Sequence, residues 1–99
     1  MRVLIVADVH ANLAAFEAVI GVASADGAID AIWCLGDIVG YGPEPGACIE
    51  LLRAYPHHAV AGNHDLAAIG SISLDAFNPA AAAAACWTAA ILSAAEHDY

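Results

Sequence analysis

Aliphatic residues run unbroken from Val3 to Val6 in RVLIVAD (2–8), and the run stops at Asp8. An unalternating, β-branched run of this kind predicts a strand covered on both faces, as in a parallel sheet. The period then changes. In NLAAFEAVIGVASADG (12–27), Leu13, Phe16, Val19, Ile20 and Ala23 recur at helical spacing, with Asn12 placed to cap the helix and Gly27 to end it. The alternation repeats: DAIWCLGD (30–37) reads as a second strand, IVGYGPEP (38–45) as a loop rich in glycine and proline, GACIELLRAY (46–55) as a helix and HHAVAG (57–62) as a third strand. Through right-handed crossovers, a βαβαβ succession folds into a parallel α/β sheet layered by helices. Farther on, Asn78-Pro79 supplies an N-cap and a first-turn proline for a long helix through Trp87, Ile91 and Ala94. The stretch between, LAAIGSISLDAF (66–77), begins as a short helical turn and has no clear period beyond it. No repeat or flexible linker divides the chain, so residues 1–99 read as one domain with an adequate rather than generous core.

Composition adds two constraints. The apolar fraction is 62% against a usual value of roughly 45–50%, and much of the excess is alanine, so the chain either packs tightly or leaves apolar surface uncovered. Eleven acidic residues against two basic ones give a formal charge of −9, which repels phosphate backbones unless cations are bound locally; broad nucleic-acid binding is not expected. Arg2 and Arg53 are the only arginines or lysines, so phosphate chemistry here would draw its positive charge from a divalent metal. Cys34, Cys48 and Cys86 are odd in number and form no CxxC pair, which reads as reduced packing residues of a cytoplasmic protein. Asp8 and His10 interrupt the N-terminal apolar run before a signal-peptide core is complete, and no membrane span is indicated.

The polar residues are informative by position. Asp8, His10 and Asn12 follow the first strand, Asp37 the second, and Asn63, His64 and Asp65 the third. In open parallel sheets, ligands bind in the crevice outside the carboxyl ends of the strands. Each cluster also has a plain structural reading: Asn12 as a helix cap, Asp65 as the cap of a short turn, Asp8 and Asp37 as turn formers, and His10 or His64 as structural hydrogen-bonders. The conjunction favours a site, because metal-binding groups recur at three successive strand ends. An extended backbone at Asp8-x-His10 would put both side chains on one face, towards one cation. Asp37 could present its two oxygens to two ions, and Asn63 adds an amide oxygen. Mixed oxygen and nitrogen donors suit Mn, Fe, Co, Ni or Zn rather than calcium.

DVHAN (8–12), GDIVGYG (36–42) and GNHD (62–65) resemble, in order, the first three motifs of the calcineurin-like metallophosphoesterases: D-x-H, G-D-x-x and G-N-H-[DE]. The flanking NLAAFEAV and YGPEPGACIELL are similar to the small bacterial phosphoesterase branch. The resemblance implies Asp8 and His10 as ligands of a first metal, Asp37 as a bridging ligand and Asn63 as a ligand of a second. It also implies His64 as the acid on the leaving oxygen or a stabiliser of phosphoryl charge, Asp65 as the group orienting its ring, and Asn12 as a substrate contact. The implied cofactors are two divalent transition-metal ions, manganese foremost. They would stand about 3.5–4 Å apart, lower the pKa of a bound water and clamp a small phosphate ester for hydrolysis. The protein serine/threonine phosphatases continue the second motif as G-D-x-x-D-R-G; Gly40, Tyr41 and Gly42 stand at those positions, which disfavours a protein phosphatase.

The resemblance also implies an N-terminal portion, half of an α/β/β/α sandwich. Family members complete the metal site with later histidines, typically in G-H-x-H, and add a second sheet. His57, His58 and His97 do not replace those histidines: the first two start the third strand and point to opposite faces, the last ends the final helix, and all three read as surface or packing residues. A halved sandwich is expected to leave a sheet face and edge open to self-association. Three readings compete: a dinuclear-metal phosphoester hydrolase, a catalytically inactive metal- or phosphate-binding fragment that needs a partner chain, and a plain α/β fragment whose polar strand ends are caps and turns.

Overall fold

The structure, a computed structural model, describes residues 1–98, with side chains up to Glu96. Its elements follow in order as β1 (Val3–Val6), α1 (Leu13–Ser24), β2 (Ala31–Cys34), α2 (Pro45–Arg53), β3 (His57–Ala59), α3 (Asn63–Ala68), α4 (Pro79–Ile91) and α5 (Ala94–Asp98). The strands form one parallel sheet ordered β1-β2-β3, with Leu4 opposite Ile32 and Ile32 opposite His57. Right-handed crossovers between strands taken in simple order put α1 and α2 on the same face.

That face holds the core. Phe16 and Ile20 of α1 and Cys48, Ile49 and Leu52 of α2 pack with Ile32 and Cys34, and Leu4 and Val6 lie against the cluster. The alternate residues point the other way and stay open: Ile5 is 56% exposed and Trp33 42%. The expectation of a strand covered on both faces therefore holds for one face only. Leu35 and Val60, beyond the ends of β2 and β3, are also exposed. His58 lies edge-on to Trp33, with ring centroids 6.5 Å apart, and His57 Nδ1 lies 2.9 Å from the Tyr55 carbonyl. The side chain of His97 is outside the described residues.

Local chemistry sets the helix ends. Asn12 Oδ1 accepts the Ala15 N–H at 3.1 Å, and Asn78 Oδ1 accepts that of Ala81 at 2.8 Å ahead of Pro79. Arg2 reaches the other end of α1, donating to the carbonyls of Ala23 and Gly27. The long final helix of the sequence reading is two helices. Leu92 is extended (ψ 138). Ser93 then starts α5 with a reciprocal pair: its Oγ accepts the Glu96 N–H at 3.2 Å, while Glu96 Oε1 accepts the Ser93 N–H at 2.8 Å. SAAE (93–96) is a capping box, and it places Ala94 in the second helix. Among the described residues, no helix is long and apolar enough to cross a membrane.

Burial pushes the Cys48 thiol up to about 11, and Glu44 and Glu17 raise it further towards that value. Burial likewise raises the Cys34 thiol. Both therefore remain protonated packing groups at neutral pH. An unfolded thiol at 9.0 releases its proton before the folded one does, so this contribution to stability is present below pH 9 and lost as pH rises towards 11. Folding stability is expected to fall across that window, and Cys48→Ala to flatten the fall; equal slopes in urea titrations at several pH values would contradict this. Leu52, fully buried, is expected to cost about 2–5 kcal/mol when replaced by alanine. The exposed Val22 is expected to cost no more than about 0.5 kcal/mol; similar urea midpoints for the two variants would refute this placement of the core.

Candidate metal centre

Three loops leave the carboxyl ends of the strands, and two turn through a left-handed backbone at residues other than glycine as well. Asp8 (φ 56), His10 (φ 49) and Ala11 (φ 55) do so after β1, Asp37 (φ 54) and Tyr41 (φ 60) after β2. Asp8 and His10 thus converge through a coiled turn; the extended geometry expected for Asp-x-His is not what brings them together. Such conformations cost of order 1–3 kcal/mol each and persist where surrounding bonds over-determine them. Here the loops bind one another: Asp8 N–H to Gly36 O (3.1 Å), His10 N–H to Asp37 O (3.0 Å), Ala11 N–H to Ile38 O (2.8 Å) and Gly42 N–H to His10 O (3.0 Å).

The outcome is a donor cluster. Asp8, His10 and Asp37 each offer a ligand atom, all within 4.8 Å of one another. His10 Nδ1 lies 3.0 Å from the Val39 carbonyl. A carbonyl oxygen can only accept, so Nδ1 is the donor in this contact, and the tautomer that makes it carries its lone pair on Nε2. Nε2 is 3.9 Å from Asp8 Oδ1. An imidazole with its far nitrogen tied to a carbonyl and its near one among carboxylates is the arrangement of a metal-ligating histidine. The donor set fits a divalent transition metal.

GNHD opens α3, which begins three residues before the helical turn expected from Leu66. Gly62 is the N-cap and Asn63 the first helical residue, exposed beside the crevice. The His64 N–H donates to Asp37 Oδ1 at 2.9 Å, which seats a carboxylate on the helix N-terminus. A Cβ on Gly62 would occupy the space of that same Asp37 carboxylate, so only glycine allows the two loops to meet.

Asp65 acts on the backbone. Its Oδ2 accepts the N–H groups of Asp37 (2.7 Å) and Gly62 (2.9 Å), and Oδ1 accepts that of Val39 (3.0 Å). The Gly62 bond is the half of a capping box that a glycine N-cap can supply. Asp65 was expected to orient the His64 ring, but its carboxylate is engaged with the loops. His64 is 7% exposed, and its Nδ1 is buried without a hydrogen-bond partner. Around it stand the rings of His10, Tyr41 and Phe77. Asn12 remains the cap of α1.

Sequence reasoning missed Val39, whose carbonyl selects the His10 tautomer, and Phe77, which comes from the unassigned stretch. Gly40 carried a signal only as one glycine among several; a Cβ there would stand 2.5 Å from His64 Nδ1.

The charge at this end is acidic. The two arginines are at the other end of the strands: Arg2 sits on the C-terminus of α1, and Arg53, in the last turn of α2, lies 3.7 Å from Glu50. A cavity of about 360 Å³ on the far side of β3 is mainly apolar and includes Asp65 but none of Asp8, His10 or Asp37. The donor cluster instead lies at the crevice surface, with Asp8 71% exposed.

Because Asp65 holds three backbone donors, Asp65→Ala is expected to destabilise the metal-free protein by about 3 kcal/mol. Asp75→Ala, at an exposed position, is expected to change stability by no more than about 0.5 kcal/mol. Equal urea midpoints for the two variants would show that Asp65 is not a structural staple.

Residues 1–91 match the family model of the calcineurin-like phosphoesterases. An uncharacterised protein of Methanocaldococcus jannaschii is 43% identical over 90 residues, 91% of this chain and 37% of that protein. The crystal structure of a metallophosphoesterase from Sphaerobacter thermophilus superposes with a TM-score of 0.80 at 52% identity, over 100% of this chain and 39% of that one. The chain therefore spans about two fifths of the length of these relatives. With the family model covering nearly all of it, and the loops after β1 and β2 bringing Asp8, His10 and Asp37 together, the chain belongs to the calcineurin-like phosphoesterase family.

Proposed function

We propose that this chain carries the N-terminal part of a dinuclear metal centre that hydrolyses a small phosphate ester. The observation that carries the reading is His10, whose Nδ1 bond to the Val39 carbonyl leaves Nε2 beside the Asp8 carboxylate and within a cluster completed by Asp37. In this reading Asp8 and His10 hold a first divalent ion, Asp37 bridges to a second, and Asn63 contributes its amide oxygen to the second; manganese is the first metal to test. The ions would supply the positive charge for the phosphoryl group and activate the attacking water.

The chain's own residues do the rest. Asp37 is held through Oδ1 by the His64 N–H, which fixes the carboxylate that would hold metal. With Nδ1 of His64 buried, Nε2 is the ring atom left to give a proton to the leaving oxygen, or to hold developing charge on the phosphoryl group. One P–O bond forms to the water oxygen, one breaks to the leaving oxygen, and the water's proton restores the ring. Asn12 would touch substrate only through its amide nitrogen, since its oxygen caps α1.

A second reading, a binding fragment completed by a partner chain, has one observation in its favour. Among the described residues, the one group of three carboxylate, histidine or cysteine donors with ligand atoms all within 4.8 Å of one another is Asp8, His10 and Asp37, enough to start one ion site rather than finish two. Metal content and turnover separate the readings. Two Mn²⁺ per chain with hydrolysis of an aryl phosphodiester is the expected result; one weakly held ion without turnover would favour the fragment. Asp37→Asn is expected to weaken metal binding by about 10–100-fold. His64→Ala is expected to leave metal content unchanged while slowing hydrolysis by at least about 100-fold. Loss of metal in the His64 variant would overturn its assigned role.

A further inference from the structure

His64 is buried, yet no hydrogen bond fixes its ring. Among the described residues Nδ1 has no partner, and the bare backbone of Gly40 lies on that side, where a Cβ would stand 2.5 Å from Nδ1. Rotation of an imidazole about its last side-chain torsion is broad, so a catalytic histidine without a tethering bond needs its plane set by packing.

Three rings supply that packing. Tyr41 lies 4.6 Å from His64 between centroids, tilted by 40°. Phe77 lies 5.0 Å away, tilted by 48°, and His10 stands edge-on at 4.9 Å and 76°. Tyr41 also meets His10 edge-on at 5.1 Å and 74°, so one ring contacts both the metal-ligating imidazole and the buried one. Tyr41 is 52% exposed and left-handed at φ 60. That conformation is rare for a bulky residue, and burial of Tyr41's own side chain does not explain it. What the position does achieve is contact with the two histidines.

We propose that Tyr41 and Phe77 are positioning residues for His64: their rings, in place of a hydrogen-bond partner on Nδ1, fix the imidazole plane so that Nε2 faces the reacting ester. The inference rests on the catalytic reading of His64 for its consequence. Its geometry can be tested without metal or turnover. Tyr41→Phe keeps the ring and removes only the hydroxyl, whereas Tyr41→Leu removes the aromatic face.

The test is proton NMR of the metal-free protein, with the His64 ring resonances identified by their disappearance in His64→Ala. Stacked rings are expected to displace these resonances from the position of a histidine in an unfolded peptide. Tyr41→Leu and Phe77→Leu are expected to return them towards that position, while Tyr41→Phe leaves them in place and the Trp33 resonances report an intact fold in all three. His64 resonances that do not move in Tyr41→Leu would overturn the inference, as would an equal shift in Tyr41→Phe. In the hydrolysis assay, Tyr41→Leu is expected to lower kcat about 10–100-fold with KM and metal content unchanged. Tyr41→Phe is expected to restore the rate, and Tyr41→Leu to add nothing in a His64→Ala background. If His64→Ala does not slow hydrolysis, the catalytic reading falls, while the NMR comparison still decides whether the rings orient His64.

Discussion

The Asp65 carboxylate gathers backbone N–H groups from Asp37, Val39 and Gly62, and so ties the loop after β2 to the one after β3. Much of the site depends on this junction. Holding Val39 in place sets the carbonyl that accepts from His10 Nδ1. Holding Asp37 and Gly62 brings the Asp37 carboxylate onto the His64 N–H at the start of α3. The loop after β1 then binds the loop after β2 through its own backbone bonds, and five left-handed residues other than glycine are accommodated across the two loops. A single side chain that touches none of the proposed metal ligands except through the backbone therefore determines where they point.

Charge is the second constraint. The metal-binding end of the sheet gathers aspartates, while Arg2 serves the C-terminus of α1 and Arg53 lies near Glu50. In the proposed reading, positive charge for a phosphate ester would come from bound cations, and the donors present are those of a divalent transition metal. The acidic balance of the whole chain and the local chemistry of its strand ends thus lead to the same requirement. His64 is the exception to this polar logic, a buried imidazole oriented by aromatic contact.

Much of this architecture could be read from the sequence, for reasons that differ between elements. The three strands and the first two helices follow from runs and spacings that depend only on near neighbours, and Asn12 and Asn78-Pro79 mark helix starts by local chemistry. The candidate ligands Asp8, His10 and Asp37 were recognisable because they stand at strand ends. What was not legible depends on contacts between distant segments. The left-handed turn at Asp8 and His10 is imposed by bonds to the next loop, so an extended reading of Asp-x-His was the natural one and did not hold. The resemblance implies Asp65 as the group orienting the His64 ring, whereas its carboxylate accepts from Gly62 nearby and from Asp37 and Val39, 28 and 26 residues away. The break at Leu92 and Ser93 was present in SAAE, but it was overlooked within an alanine-rich helical pattern. The open sheet face follows from strand order, which the hydrophobicity of a strand does not record; only the resemblance to half of a sandwich implies it.

A crystal of the Mn²⁺-loaded protein, measured at the manganese absorption edge, would test the central claim most directly. The account predicts an anomalous peak bounded by the Asp8 and Asp37 carboxylates and by His10 Nε2, with His10 Nδ1 still donating to the Val39 carbonyl. An ion bound through Nδ1, or a peak away from these three residues, would contradict it.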